Sequence, residues 1–453
     1  MSGSIGYSRP AAGRTRGLFL IVMLSLSVER TAHSGGKKVT ATITECRGED
    51  EFDIDPPARK IKPARPDAVL PHAAVAGTSE YPYPYANPEA NSRVAGPLSA
   101  GPWKVRWTSE LNPAFPPDFV LSAGDRILVE AKEWRLLTGD GHVLSSGRSD
   151  AGAMQIDARN SLAYAIDRDG DLIGIRLTDG GQLFRVLPAD GRRYARTYLT
   201  RREHKVLIVG LERALDPKGR QRPSKSQIEI VDLGSPLAVD GLGFLTSGSF
   251  SSGSFALLTV RWPSMKAASH DDTVVFAVPG RVYVGGWDLK IRVALEADFT
   301  PMTVSLDEAG RIYLVVQTGN QLALWLLNQD GDRLYDFNFP PGLTKADMPP
   351  VIGYDHAVYL AAGSQIIALG PDGKVNWTKP VGGPVHGAVA TGDGKLLATE
   401  GAAVVAWDAQ GTRTVLFTAQ EELRTPPVLT AAGEILAAGR ARLYCLAAPT
   451  AKR

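Results

Sequence analysis

The chain has 453 residues, of which 50 are Lys or Arg and 48 are Asp or Glu, so its formal net charge is only +2. A net charge so close to zero does not indicate a nucleic-acid partner, because proteins that bind nucleic acids usually carry an excess of positive charge. The 47 Gly and 31 Pro residues suit a fold with many tight turns better than a helical fold.

The first 34 residues have the pattern of a secretory signal peptide. Three arginines precede an apolar run of 11 residues at 18–28, which is too short to span a bilayer. Small residues at Ala32 and Ser34 suit a cleavage site, so we predict cleavage after Ser34. The mature protein would then be exported, periplasmic or extracellular, without a transmembrane segment. An uncleaved membrane anchor is the alternative.

Residues 35–100 form a segment rich in proline and charge. It contains an acidic block at 49–55, basic residues between 59 and 65, and a Tyr-Pro run at 81–85. So few apolar residues cannot offset the entropy of ordering the chain. We therefore predict a disordered linker over 35–100, and docking of the Tyr-Pro run on a partner's groove is the alternative.

From residue 101 onward the sequence alternates short apolar runs with turn residues, which predicts an all-β domain over 101–450. Five similar polar turns end in glycine and lie at intervals near 40 residues, apart from one long interval, and a period near 40 indicates a repeat array. For the fourth repeat we predict strands at 255–260, 274–278 and 282–284. The five turns are 137–141 (LTGDG), 177–181 (LTDGG), 327–331 (LNQDG), 369–373 (LGPDG) and 407–411 (WDAQG).

Two strings predict how the array closes. KVNWT at 374–378 follows the fourth turn, and a near copy, KVRWT at 104–108, stands near the start with no turn before it. The last apolar run, 442–446, has no turn or strand after it. We therefore predict that 103–108 pairs with 443–446 and closes an eight-bladed β-propeller. Seven blades is the alternative if 190–300 forms fewer.

The turns resemble the repeat of the pyrroloquinoline-quinone-like (PQQ-like, quinoprotein alcohol dehydrogenase-like) β-propellers. The best copies are 368–377 (ALGPDGKVNW) and 406–415 (AWDAQGTRTV). In that family the Trp of one blade stacks over the turn of the next. The resemblance implies that Trp107 and Trp377 are blade-docking residues, with Phe184 and Tyr335 as weaker substitutes.

Two branches of this family imply different activities. Its quinoprotein dehydrogenases carry adjacent cysteines and acidic calcium ligands, whereas the two cysteines here, Cys46 and Cys445, are far apart in sequence. The outer-membrane assembly proteins of the family act as docking rings without a cofactor. We therefore predict no cofactor. The two cysteines form either a disulfide or a buried thiol and an exposed one.

Candidate metal and catalytic motifs are weak. Asp167, Asp169 and Asp171 suggest calcium, but an EF-hand loop would need Gly and Glu where Leu172 and Thr178 stand, so we predict a polar hairpin turn. The seven histidines lack zinc spacing. His270 lies beside two aspartates in a predicted loop. His386 either faces the central channel or is structural. We predict no metal-binding and no catalytic residues.

The strongest local charge lies at 192–225, where eleven Lys and Arg face three acidic residues, a net charge of +8. This segment could steer an anionic partner, either a protein or an envelope component such as an acidic glycan or lipopolysaccharide. A solvated insertion that keeps a sheet edge from pairing is the alternative. The predicted partner-binding residues are Arg213, Lys218, Arg220, Arg222 and Lys225.

The sequence therefore predicts an exported, non-enzymatic propeller that serves as a binding or protein-interaction scaffold in the cell envelope. The alternative is an enzyme that uses the central funnel, either a quinoprotein oxidoreductase or a polysaccharide lyase or hydrolase. Titratable side chains that converge at one mouth of the channel would favour the enzyme.

Overall fold

Four-stranded antiparallel sheets make up most of the protein. A computed structural model describes residues 59–61, 94, 96–99, 101–148, 154–157, 161–167, 171–186, 194–202, 205–212, 226–232, 266–287, 291–341, 343 and 348–448. All of them belong to one compact unit, Asp53–Arg453. Within these ranges the structure contains strands, turns and bends but no helix, and hence no helix that could cross a membrane.

The strands of the described residues follow one another in eight sheets. In chain order they are β1 (Arg59–Lys60), β2 (Lys104–Glu110), β3 (Phe119–Ala123), β4 (Arg126–Glu130), β5 (Glu133–Thr138), β6 (Val143–Arg148), β7 (Met154–Asp157), β8 (Leu162–Ile166), β9 (Leu172–Arg176), β10 (Gln182–Val186), β11 (Tyr194–Arg202), β12 (Lys205–Glu212), β13 (Ser226–Asp232), β14 (Lys266–His270), β15 (Thr273–Val278), β16 (Arg281–Gly285), β17 (Ile291–Glu296), β18 (Thr300–Leu306), β19 (Ile312–Thr318), β20 (Gln321–Leu327), β21 (Arg333–Asn338), β22 (Val351–Ile352), β23 (Val358–Ala362), β24 (Gln365–Leu369), β25 (Val375–Pro380), β26 (Val385–Ala390), β27 (Leu396–Glu400), β28 (Ala403–Trp407), β29 (Arg413–Thr418), β30 (Val428–Leu429), β31 (Ile435–Ala438) and β32 (Arg442–Ala447).

Six of these sheets consist of consecutive hairpin-linked strands, as in β3-β4-β5-β6 and β26-β27-β28-β29. The first three strands of a sheet are buried almost throughout, whereas the fourth is largely exposed, as the patterns of β4 and β6 illustrate. This is why the first three strands read as continuous apolar runs: neighbouring sheets cover both of their faces. We call the first strand of each sheet the inner strand and the fourth the outer strand.

One sheet is assembled from the two ends of the described domain. Strand β2 pairs antiparallel with β32, and Trp107 lies opposite Cys445 in the register. The resulting sheet has the order β2-β32-β31-β30, so a strand from the start of the domain supplies the outer strand of the last sheet. This is the pairing that the two KV-x-WT strings predict.

The inner strand of the fourth repeat is not where the sequence predicted it. The strand that pairs with β15 is β14 (Lys266–His270), with Ala268 opposite Val275. The predicted run at 255–260 lies outside the described residues. The sequence pattern does not predict β14, because Lys266 and His270 at its ends are polar and the three central residues are small.

Two parts of the segment predicted as a linker contact the sheets. Near residue 94 the chain lies along the end of β26, where the Val94 N–H donates to the Ala390 carbonyl at 2.9 Å. The Leu98 N–H then donates to the Asp393 carboxylate at 3.1 Å. Both apolar side chains are buried in the same hydrophobic cluster as β30 and β31. The other part is β1, which pairs parallel with β17.

Candidate binding surfaces

The polar turns between third and outer strands join neighbouring sheets. Gly411, in the turn after β28, has φ = 75°, and a Cβ there would lie 2.9 Å from Cδ2 of Trp377 on the outer strand of the preceding sheet. The Trp377 indole N–H also donates to the Ala409 carbonyl at 3.1 Å. Only glycine allows the backbone to turn this way with the ring so close.

Trp107 makes the same contact with the first sheet. Its indole N–H donates to the Gly139 carbonyl at 3.0 Å, and a Cβ on Gly141 would lie 2.7 Å from its Cε3. Tyr335 occupies the equivalent position over Gly373. The ring of Phe184 packs on Gly174, which is its cross-strand neighbour in the same sheet, and the turn after the third strand of the next sheet lies outside the described residues.

Two further residues occupy this position, and the sequence pattern did not reveal them. Leu295 on β17 packs against Gly331, and Ser145 on β6 packs against Gly180. The glycine is constant in these turns, while the residue above it varies from indole to hydroxymethyl. The spacing of the glycines therefore identifies the repeats more reliably than the aromatic residue does.

The outer strands of four neighbouring sheets expose valines. Val105, Val143, Val375 and Val415 are 43–50% exposed and lie on β2, β6, β25 and β29. The four sheets adjoin in the order β25, β29, β2, β6: Trp377 contacts Gly411, Thr399 donates to the Thr425 carbonyl, and Trp107 contacts Gly141. We call these four valines the valine row. Since the valines lie on four neighbouring outer strands, we consider them as a candidate protein-contact surface.

Val415 does not take the place of Trp377 in the strand register. It lies opposite Val405, whereas Trp377 lies opposite Ala368, and the counterpart of that pair is Thr414 opposite Ala406. Val405 packs in the cluster shared with the preceding sheet, so Val415 lies on that face of the strand. It is 48% exposed there.

Basic residues flank the valine row. Arg106 forms an ion pair with Glu434, and Lys374 forms one with Asp372 at 2.8 Å. Lys104 and Arg148 are exposed at the ends of β2 and β6. Among the residues of these four outer strands Glu110 is the only acidic one, so the row lies on a net basic surface.

A second polar group lies where the inner strands begin. Glu130 at the end of β4 is fully buried, and its carboxyl group lies near the backbone of Met154 at the start of β7. Burial, with the nearby Asp118 carboxylate, raises the pKa of Glu130 to about 8. Gln155 on β7 is likewise buried, and neither amide atom has a hydrogen-bond partner within the ranges that the structure describes.

His386, the candidate channel residue, lies near the start of β26. Its Nε2 is 3.2 Å from Oε1 of Glu422, and Glu422 also lies 3.6 Å from Arg424. The ring is 27% exposed. This arrangement is a surface ion cluster between two neighbouring sheets.

A buried polar network joins two other sheets. The Asp307 carboxylate accepts from Nε of Arg311 at 2.5 Å and from the Tyr313 hydroxyl at 3.1 Å. Nη2 of Arg311 lies 2.8 Å from Nδ1 of His356, in the turn between β22 and β23. The guanidinium can only donate, so Nδ1 of His356 is the acceptor in this contact. Its compensated charges and its burial indicate a structural role.

The described side chains of the two candidate metal motifs form ion pairs with other residues of the protein. Arg185 bridges Asp167 and Asp171, at 3.3 and 2.5 Å. Nε2 of His270 lies 3.4 Å from the Asp271 carboxylate. No group of three His, Cys, Asp or Glu with metal-binding geometry occurs among the described residues.

Cys445 is a free, buried thiol on β32, and its Sγ lies 3.5 Å from Glu434. Burial raises the pKa of this thiol well above its usual range, which makes it unreactive. Cys46 lies outside the described residues. The five predicted partner-binding residues, Arg213, Lys218, Arg220, Arg222 and Lys225, also lie outside them.

Several solved structures are similar to this chain. BamB from Moraxella catarrhalis aligns with a TM-score of 0.53 at 13% identity, over 78% of this chain and 99% of that chain. The quinohemoprotein alcohol dehydrogenase from Comamonas testosteroni aligns with 0.57 at 12%, over 83% and 82%. A europium-containing methanol dehydrogenase aligns with 0.54 at 12%, over 81% and 98%. No protein-family profile and no curated protein sequence matches the chain.

These similarities confirm the predicted all-β propeller fold. The chain has the PQQ-like β-propeller fold, which both a BamB and quinoprotein dehydrogenases share. At 12–13% identity the likeness concerns the fold, and activity has to be argued from the residues of this chain.

Proposed function

We propose that this protein is an exported, non-enzymatic scaffold of the cell envelope: a closed ring of eight blades that binds a protein partner on its outer surface. The valine row is the observation that carries the proposal. Four neighbouring outer strands present aliphatic side chains that the fold itself leaves uncovered.

The chemistry of the row favours an acidic partner with apolar side chains. Val375 and Val105 each stand two residues before a docking tryptophan, with Lys374 and Lys104 directly before them. The aliphatic groups would supply the desolvated centre of an interface, and the lysines would steer a negatively charged surface toward it. The basic segment 213–225 would add to the same attraction if it serves as a second contact.

Photo-crosslinking tests this proposal. A benzophenone amino acid is placed at position 375 or 415 of the full chain, and at Asp125 as a control. Asp125 lies in an exposed turn after an inner strand. In envelope fractions we expect one discrete adduct from positions 375 and 415 and none from 125. The double variant Lys104→Glu/Lys374→Glu should lower its yield severalfold. Equal products at all three positions would refute a specific surface.

A second measurement separates the scaffold from an oxidoreductase. Under the proposal, titration with pyrroloquinoline quinone and calcium gives no stoichiometric binding and no dye-linked oxidation of alcohols or sugars. Saturable quinone binding at one equivalent would replace the scaffold with the enzymatic alternative. The crosslinking result would then need another explanation.

A further inference from the structure

The sheet β14-β15-β16-β17 carries a fifth strand on its outer edge. Strand β1 runs parallel to β17, with Arg59 opposite Leu295 and Lys60 opposite Glu296. The Ile61 N–H donates to the Glu296 carbonyl at 3.0 Å. In the described part of the chain, no other sheet has an added outer strand.

The pairing is supported by a buried side chain. Ile61 is only 9% exposed and belongs to the hydrophobic cluster that includes Leu295 and Val304, with Val293 and Ala297 packed against it. Arg59 and Lys60, by contrast, are exposed. The segment therefore attaches by one aliphatic anchor and by backbone hydrogen bonds, the usual means of strand addition.

The charges of the segment and of the edge are complementary. Glu296 ends β17, and Asp298 follows it; both are exposed. The segment brings Arg59 and Lys60 alongside them. A pair of acidic side chains beside an open edge favours a basic strand over an acidic one.

Only one end of the edge is filled. Strand β17 spans Ile291–Glu296, and β1 pairs with its last two residues. No described strand pairs with residues 291–294 on that side. In the sequence Pro56 and Pro57 precede the segment, and because proline lacks an N–H, a strand cannot continue regularly through them.

We propose that the outer edge of β17 is a strand-addition site for extended basic–aliphatic peptides of a protein partner, and that residues 59–61 occupy it in cis. This inference rests on the proposed scaffold function and names a second binding site for it. Two paired residues suffice in cis because tethering gives a high effective concentration. A partner strand that pairs with all six residues of β17 displaces them.

The test uses the full chain and a fluorescein-labelled peptide with the sequence of residues 58–66 (ARKIKPARP). Ile61→Asp removes the aliphatic anchor and opens the edge, whereas Arg59→Ser alters an exposed neighbour and is the matched control. We expect saturable binding to Ile61→Asp. Binding to the parent and to Arg59→Ser should be at least tenfold weaker, because their edge is occupied. A peptide with Asp in place of Ile should not bind.

Two more measurements locate the site. Adding Glu296→Lys to Ile61→Asp should weaken peptide binding severalfold, whereas adding Glu110→Lys, exposed at the end of β2 in another sheet, should not. Hydrogen exchange of residues 291–297 should be faster in Ile61→Asp than in the parent. Unchanged exchange would overturn the occupancy in cis, and absence of peptide binding to Ile61→Asp would overturn the partner site. Either failure leaves the crosslinking test at positions 375 and 415 unaffected.

Discussion

The indole ring of Trp107 lies directly on Gly141, so that a Cβ on this glycine would come within 2.7 Å of the ring. Trp107 belongs to the sheet that contains β32, whereas Gly141 belongs to the sheet that begins with β3. The contact therefore joins the last sheet to the first. Trp377 and Gly411 make the same contact between two sheets that are consecutive in the chain.

Gly411→Ala should lower the free energy of unfolding more than the same substitution at a glycine that has the same backbone conformation but no close neighbour. Gly394 is the matched control, since its φ is 77° against 75° for Gly411, but a Cβ there meets nothing within 4 Å. Gly394→Ala should cost about 1 kcal/mol through left-handed strain alone. Gly411→Ala should cost at least about 1 kcal/mol more, since the ring must move. Urea unfolding measures both, and equal losses would show that the ring contact is unimportant.

Trp107→Ala should destabilise the protein about as much as Trp377→Ala, by about 3 kcal/mol, since each removes a large ring between two sheets. Trp107→Phe keeps the ring packing and loses only the bond to the Gly139 carbonyl, so about 1 kcal/mol is expected. In Trp107→Ala, hydrogen exchange should quicken in β2 before it does in β25. A loss well below 1 kcal/mol for Trp107→Ala would argue against a closed ring.

The buried Asp307–Arg311 pair makes a different prediction. Asp307→Asn leaves the Arg311 guanidinium buried without its counter-charge, which should cost about 3–5 kcal/mol. The double variant Asp307→Asn/Arg311→Met removes that uncompensated charge and should be more stable than Asp307→Asn alone. Thermal unfolding of the parent, the single variants Asp307→Asn and Arg311→Met, and the double variant gives the coupling between the two sites. Additive losses would mean that the two residues do not act as a pair.

The sequence predicted the repeats because glycine is required where a turn meets a neighbouring side chain. Gly331 and Gly411 have positive φ and closely packed neighbours, so their spacing survives even where strands are degenerate. The pairing of β2 with β32 was predictable for a similar reason, since KVRWT repeats a string that elsewhere follows such a turn. The positions above the glycines were less predictable: Leu295 and Ser145 fill a site for which the motif expects an aromatic ring.

The candidate surfaces depend on which elements become neighbours. Val415 looks like any strand residue in the sequence, and its 48% exposure depends on how the neighbouring sheets pack. Glu130 is the polar residue at the end of an apolar run, and its complete burial depends on the packing around it. Ile61 is one aliphatic residue in a proline-rich, charged segment, and its composition gives no indication of strand addition. These features arise from contacts between distant residues, which local patterns do not encode.

Glu130 should make the protein less stable as the pH rises. The folded state holds the Glu130 proton up to a pKa of about 8, whereas the ordinary value is 4.5. The folded state therefore binds more protons than the unfolded state between these values, and this contribution to stability is lost as pH rises through that window. It should amount to about 3 kcal/mol between pH 5 and pH 8.

Glu130→Gln removes this titration and should be more stable than the parent at pH 8, with a flatter profile from pH 5 to pH 8. Glu110→Gln is the control, since Glu110 is exposed at the end of β2. Its profile should follow that of the parent. Parallel profiles for the parent and Glu130→Gln would mean that the Glu130 carboxyl is solvated.

The basic segment should bind anionic surfaces without contributing to folding. Replacing Arg213, Lys218, Arg220, Arg222 and Lys225 with Ser should leave the melting temperature almost unchanged, because exposed charges stabilise a fold very little. The same replacement should sharply reduce retention on an anionic matrix or on an envelope fraction. Retention of the parent should itself decrease from about 50 to 200 mM salt, since the screening length falls below about 10 Å.

A control that replaces Lys104, Arg148 and Lys374 with Ser separates this segment from the valine row. Equal retention of the parent and the five-residue variant at low salt would favour the solvated insertion.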